Sequence, residues 1–267
     1  MTNDTSLPIN QVIQGDCLEV MKSLPAESID LVIADFPYNI SDYGRSITKV
    51  GSDFKKADFG EWDKFTSVEE YTCWMIEVMR EINRLLKPKH QVYIFCDNHY
   101  AGYYTYHIER KVKPLQQKCP IVLYKRNPIP QMFKRNFRSS FDLCILFTKD
   151  VDKKCEPFNF LSQKVMKNVQ EYNLKKLTKH PTEKNLEIIE RFIKISSNRG
   201  DVVLDPFLGS GTTAVGCIKL GRSFIGIELK PEFVEMAKER IRKYLGQESY
   251  TQTHQEKLEC LYGFGAE

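Results

Sequence analysis

None of the eight cysteines in this 267-residue chain stands in a C-x-x-C pair, and no other metal-ligand spacing is present. That excludes a zinc module or a redox motif of this type. No secretory leader is expected, and no apolar run is long enough to span a bilayer, so export and membrane classes are not suggested. Cys96, Cys144 and Cys217 sit inside apolar runs, where a small buried thiol is the expected use. A soluble, cytoplasmic protein with no membrane partner is the expectation. One further shortage is local: from Lys111 to Arg138 there are eight Lys or Arg and no Asp or Glu. Blocks of this kind often mark nucleic-acid contact, and a solvated face is the alternative.

The apolar fraction of 42 % is that of an ordinary globular protein, and the length suits one α/β domain, taken here as 1–267. Strand-like runs fall at 11–14, 29–34, 91–96, 121–124, 142–148, 201–205 and 223–228. Most are Val- and Ile-rich without clean alternation, as in a parallel sheet covered on both faces. Amphipathic helical patterns lie between them. One runs from Val68 and is expected to stop before Pro88; others span 186–195 and 231–244. This alternation predicts a doubly wound, mostly parallel seven-stranded α/β sheet. Residues 41–64 read as a long polar loop and 150–179 as a Lys-rich segment of weak signal. The tail from Gln247 is expected to be loosely held. The aromatic run at 100–107 is expected to form a half-buried helix.

Two stretches carry chemistry. In IADFPYNIS (33–41) an apolar run ends on Asp35, followed by Phe36, Pro37 and Tyr38. A turn is one reading; a carboxylate accepting a hydrogen bond beside a ring that stacks on a flat ligand is the other. The second stretch, 201–230, reads strand, turn, helix, strand. Asp205, Pro206 and Phe207 lead into Gly209, Ser210 and Gly211, Thr212 and Thr213 open the helix, and Glu228 ends the next strand 23 residues after Asp205. An acid there commonly accepts hydrogen bonds from ribose hydroxyls. No Lys follows Gly211, so a P-loop is not indicated. A helix N-terminus can equally hold a carboxylate, and a nucleoside bearing an amino acid, such as S-adenosylmethionine, would meet both ends of the unit.

Together the two stretches resemble the DNA amino-methyltransferases. ADFPY is similar to their Asp/Asn/Ser-Pro-Pro-aromatic motif, and DPFLGSGTT to their cofactor motif. GDCLEVMKSLP (15–25) and HPTEKNLEIIERFI (180–193) resemble the flanking segments. The catalytic motif precedes the cofactor motif, as in the β-class. The resemblance therefore implies a circularly permuted methyltransferase (Rossmann-like) sheet in which 201–205 and 223–228 are the first two strands, 11–14 the third and 29–34 the fourth.

It further implies S-adenosylmethionine as cofactor and double-stranded DNA as substrate. Asp35 and the Phe36 carbonyl would accept from a target amino group, Pro37 would fix that carbonyl, and Tyr38 would stack on an extruded base. The cofactor set becomes Asp16, Cys17, Asp35, Lys184, Asp205, Pro206, Phe207, Gly209, Ser210, Gly211, Thr212, Thr213 and Glu228. Asp16 has a turn as its alternative, and Lys184 a solvated helix start. His180 reads as a loop residue. Phe36 and Asn185 stand where the family usually has proline, and whether the Phe36 ring meets the base is left open. Phosphate contacts are expected from Lys125, Arg126, Lys134, Arg135 and Arg138, with target recognition in about 41–64 and 125–180. Asp at position 35 goes with adenine-N6 products in the family. Cytosine-N4 transfer, or a silent nucleic-acid-binding relative, is the alternative. A cognate restriction endonuclease as functional partner, and a monomer or homodimer, complete the expectations.

Overall fold

The computed structural model describes residues 7–37, 47–50, 53–56, 65, 67–130, 134, 137–174 and 183–262, with backbone alone at 47–50, 53–56 and 247–262. In chain order the elements are β1 (Gln11–Gln14), α1 (Cys17–Ser23), β2 (Ile29–Asp35), β3 (Ile47–Val50), β4 (Asp53–Lys56), α2 (Val68–Leu85), β5 (Leu86–Cys96) and α3 (Ala101–Lys111). Then come β6 (Leu115–Lys125), β7 (Phe141–Lys149), β8 (Val169–Tyr172), α4 (Leu186–Ser196), β9 (Val202–Asp205), α5 (Thr212–Leu220), β10 (Ser223–Glu228) and α6 (Pro231–Tyr262). Among the described residues one eight-stranded sheet has the order β1-β10-β9-β2-β5-β7-β6-β8. β7 runs antiparallel to both its neighbours, and the other pairings are parallel. Seven of these strands are the ones expected from the sequence, and β8 adds an eighth at one edge. The order is consistent with the permuted reading: the third, second, first and fourth strands of the common fold lie side by side.

The apolar strands are covered on both faces. Alternate residues of β2 show this: Val32 and Ala34 pack with α1, α2 and α3, whereas Leu31 and Ile33 pack with α4, α5 and α6. Successive side chains of a strand point to opposite faces, so a run without polar alternation is what a central strand between two helical layers requires. Each such buried Val, Leu or Ile contributes about 1.5–3 kcal/mol relative to exposure. Helix starts follow capping rules. Ser67 accepts from the Glu70 amide at 3.1 Å, and Asn185 accepts from the Ile188 amide at 3.3 Å. Asparagine at 185 therefore opens α4 by capping it.

Asp30, buried near the start of β2, fixes the register that matters for function. Its carboxylate takes the Val202 amide at 2.9 Å and Lys87 Nζ at 2.6 Å. This ties the start of β9 to β2 and brings their carboxyl ends together.

α2 stops at Leu85, ahead of Pro88 as expected; the proline itself lies in β5, where pairing with β2 jumps from Leu86 to Gln91 across a bulge with Lys89 at φ 64°. Bulges and strand starts are where a strand tolerates proline. The supposed loop at 41–64 contains the antiparallel hairpin β3–β4, and the Lys-rich segment contains β8. α6 continues past Gln247 to Tyr262. Among the described residues no helix is long and apolar enough to cross a membrane.

Candidate active site

β2 and β9 are neighbours in the sheet, with Leu31 and Val32 opposite Val203 and Leu204. Their carboxyl ends, Asp35 and Asp205, open into one cleft at the point where strand order reverses, the position at which doubly wound sheets bind ligands. Asp35, Lys184, Asp205, Phe207, Gly209, Ser210, Thr212 and Thr213 all line it. The catalytic and cofactor stretches, far apart in sequence, are thus brought together.

Lys184 Nζ lies 2.9 Å from Asp35 Oδ1, with side chains 15 % and 23 % exposed, and 5.1 Å from the centre of the Phe95 ring. It is no solvated helix-start lysine. Its ammonium is committed to the carboxylate that ends β2.

The turn after β9 needs its glycines. Gly209 and Gly211 have φ 54° and 80°, a region that other residues enter at a cost. Asp205 accepts from the Phe207 amide at 3.0 Å and from the Thr213 hydroxyl. Burial pushes its carboxyl up to about 7, and the nearby charges of Asp35 and Glu228 push the same way. Glu228 closes the unit: its carboxylate takes the amides of Gly209 at 2.8 Å and Lys230 at 2.9 Å. Burial raises its pKa too, against those two backbone bonds. Asp35 and Asp205 therefore line the cleft, and Glu228 braces the glycine turn from beside it.

Asp16 and Cys17 adjoin this unit, because the Gly15 amide donates to the Glu228 carbonyl at 3.0 Å. The Asp16 side chain caps α1, accepting from the amides of Leu18 at 2.9 Å and Glu19 at 3.2 Å. The Cys17 thiol is buried, and that burial pushes it up to about 12.

The Phe36 ring turns into the core and is 2 % exposed. Its centre lies 5.0 Å from that of Phe207 and 6.0 Å from that of Trp74. The Phe36 side chain thus wedges between α2 and the glycine turn, buried against Phe207 and Trp74. Pro37 is also buried. Tyr38 and His180 lie outside the described residues.

The basic block is less uniform in space than in sequence. Lys125 Nζ sits 2.5 Å from Asp142 Oδ1, and the Tyr172 hydroxyl donates to the other oxygen of that carboxylate at 2.8 Å. Lys125 is therefore neutralised inside the fold, which corrects its expected place as a free phosphate contact. Arg126 pairs with Glu171 at 2.9 Å on the surface. Lys134 and Arg138 are exposed, Arg138 also donating to the Pro128 carbonyl. Arg135 lies outside the described residues. The acids absent from 111–138 are supplied across the sheet by β7 and β8.

Sequence reasoning missed Glu183, Arg240 and Trp74. Arg240 pairs with Glu183 at 2.9 Å and donates to the Thr212 hydroxyl at 2.9 Å. The available signal was a charged residue three positions after the buried Ala237, on the inward side of α6.

A family model for DNA methylases of the N6/N4 type matches residues 29–239. The chain is 32 % identical over 244 residues to the type II methyltransferase M2.LlaDCHI of Lactococcus lactis subsp. cremoris, covering 87 % of this chain and 89 % of that protein. It is 29 % identical over 254 residues to the type II methyltransferase M.HinfI of Haemophilus influenzae, covering 88 % and 69 %. Among solved structures, the M1.HpyAVI–SAM complex matches with TM-score 0.66 and 27 % identity, over 86 % of this chain and 98 % of that one. The PvuII cytosine-N4-specific DNA methyltransferase matches with TM-score 0.69 over 85 % and 84 %, but at 18 % identity it speaks for the fold alone.

Proposed function

The chain belongs to the N6/N4 DNA methylase family, and on that premise we propose that it transfers the methyl group of S-adenosylmethionine to the N6 amino group of adenine within a specific sequence of double-stranded DNA. The observation that carries this reading is the meeting of Asp35 with the acid-lined cleft after β9. Asp35, rather than Ser, stands where the family's adenine-directed members carry Asp.

The cleft suits this cofactor. Asp35, Asp205 and Glu228 are electrostatically coupled, and burial holds both Asp205 and Glu228 above their ordinary values. A ligand carrying a sulfonium and an ammonium relieves that repulsion. Glu228 stands where ribose hydroxyls are met in such units, and Asp205 with the turn at Gly209–Gly211 would hold the amino-acid end. When bound, the cofactor supplies an electrophilic methyl group.

The chain's own residues supply position and hydrogen bonds. An exocyclic amino nitrogen is a weak nucleophile because its lone pair is delocalised into the ring. Asp35 and the Phe36 carbonyl accept its N–H bonds, aim the nitrogen at the methyl group and stabilise the positive charge that grows on it. Lys184 holds one oxygen of Asp35, which fixes the carboxylate's rotamer. Pro37 restrains the carbonyl before it. Tyr38 stacks on the base, which must leave the duplex to enter.

Lys134, Arg135 and Arg138 contact phosphates. Arg126 joins them by exchanging Glu171 for a phosphate, since an exposed pair is worth only about 0–1 kcal/mol. The chain acts as a single domain whose segments at about 41–64 and 125–180 read the target. It works as a monomer or homodimer, with a restriction endonuclease as its functional partner.

Digesting treated DNA to nucleosides and weighing them tests the proposal. N6-methyladenine is expected. N4-methylcytosine would change the substrate, and no methylated nucleoside would indicate a silent DNA-binding relative.

A further inference from the structure

Arg240 on α6 and Glu183 just before α4 form an ion pair at 2.9 Å whose side chains are only 13 % and 3 % exposed. The same guanidinium donates to the hydroxyls of Thr212 at 2.9 Å and Ser210 at 3.1 Å, and to the Ser210 carbonyl at 3.3 Å. Three residues earlier on α6, Ala237 lies hard against the turn: a Cβ added to Gly211 would come within 3.1 Å of its Cα and Cβ. Residues three apart share a helix face, so one face of α6 grips the glycine turn at two points. On the other side of the clamp, Lys184 follows Glu183 directly and reaches Asp35 at 2.9 Å.

The geometry points to Arg240 and Glu183 as a positioning pair that holds the glycine turn and the Lys184–Asp35 contact in a single register. This rests on the reading of the cleft as the cofactor site and of Asp35 as the amino-group acceptor. Both residues act through others. Arg240 orders the turn through Ser210 and Thr212, and Glu183 holds the backbone from which Lys184 extends. A planar guanidinium holds the Glu183 carboxylate with one terminal nitrogen and the two hydroxyls with the other in a fixed fork, a geometry that the point-like ammonium of lysine does not reproduce. A purely structural role is the competing account, because buried ion pairs often contribute little net stability. The two accounts differ in what reaches Lys184.

Two variants separate them. Glu183→Gln keeps the size and removes the charge; Arg240→Lys keeps the charge and removes the fork. The first readout is lysine acylation by acetic anhydride, followed by mass spectrometry, on the protein without cofactor. A shielded, paired ammonium reacts slowly, so Lys184 should label about fivefold faster in either variant while the exposed Lys22 is unchanged. The second readout is a double-mutant cycle on the single-turnover rate at saturating S-adenosylmethionine. Glu183→Gln should lower that rate about tenfold or more in the wild-type background and less than about threefold in a Lys184→Met background, because its effect runs through Lys184. Unchanged Lys184 labelling, or an additive cycle, would overturn the inference even if thermal stability fell. Failure of the wild-type protein to methylate DNA would count against the proposed function alone, since the labelling needs no activity.

Discussion

Replacing Phe36 by proline removes a ring that this fold uses. The ring is 2 % exposed and packs on Phe207 and Trp74 at centroid distances of 5.0 and 6.0 Å. Truncating a buried phenylalanine costs about 3–5 kcal/mol, and proline returns only part of that apolar volume, so a loss of about 3 kcal/mol is expected. For a chain of this size that is a fall in Tm of about 6–12 °C. Phe207 belongs to the cofactor turn and loses its support, so cofactor affinity should weaken by about tenfold, or about 1.4 kcal/mol. The backbone carbonyl survives the change, and Asp35 already has the extended conformation that a following proline demands. The chemical step at saturating cofactor should therefore stay within about tenfold of wild type. Thermal unfolding, calorimetry and single-turnover rates on Phe36→Pro measure the three effects. A rate loss above about a hundredfold with Tm unchanged would refute the reasoning, because it would place the ring on the base and not in the core.

Glu228→Ala should weaken S-adenosylmethionine by about 1.5–3 kcal/mol, the range for a hydrogen bond to a charged group; calorimetry showing unchanged affinity would remove the ribose role. Asp205 is raised from 3.8 to about 7 in the fold, so it binds its proton more tightly folded than unfolded, and its contribution to stability declines as pH rises through that window. A cationic ligand favours the deprotonated form. Cofactor affinity should therefore rise from pH 6 to pH 8, and less so for S-adenosylhomocysteine, which lacks the sulfonium; titration calorimetry at the two pH values checks the sign. Charge reversal at Lys134 and Arg138 should weaken DNA binding for all sequences alike. It should also flatten the salt dependence by nearly one log–log unit for each phosphate no longer neutralised. Reversal at Lys125, already paired with Asp142, should lower Tm more than it changes that slope.

What the sequence made readable is what local chemistry encodes. Asp35, Asp205 and Glu228 each end an apolar run, and two glycines at positive φ mark the turn between strand and helix. Each of those signals is complete within a few residues, and the fold placed Asp35 and Asp205 at one cleft with Glu228 bracing the turn beside them. The pairs that escaped are made by the sheet and not by the chain's order. Lys125 meets Asp142 only because β6 lies beside β7, and Arg126 meets Glu171 only because β8 lies beside β6. Arg240 went unnoticed because its partner Glu183 comes from before α4. Pro88 marked the end of α2 but not the strand β5 that holds it, because a helix-breaking residue reads the same after a helix end and in a bulged strand. The short edge strand β8 carries too few apolar residues to stand out in a Lys-rich segment.

Asp35→Ala offers the most direct test of the central claim, measured as single-turnover methyl transfer to DNA with cofactor affinity determined on the same preparation. Loss of an acceptor that acts mainly as the amino group reacts should lower the rate by about a thousandfold or more, with S-adenosylmethionine binding retained within about tenfold. Transfer at near wild-type rate by the alanine variant would contradict the account, because it would leave the carboxylate at the end of β2 with no part in the chemistry.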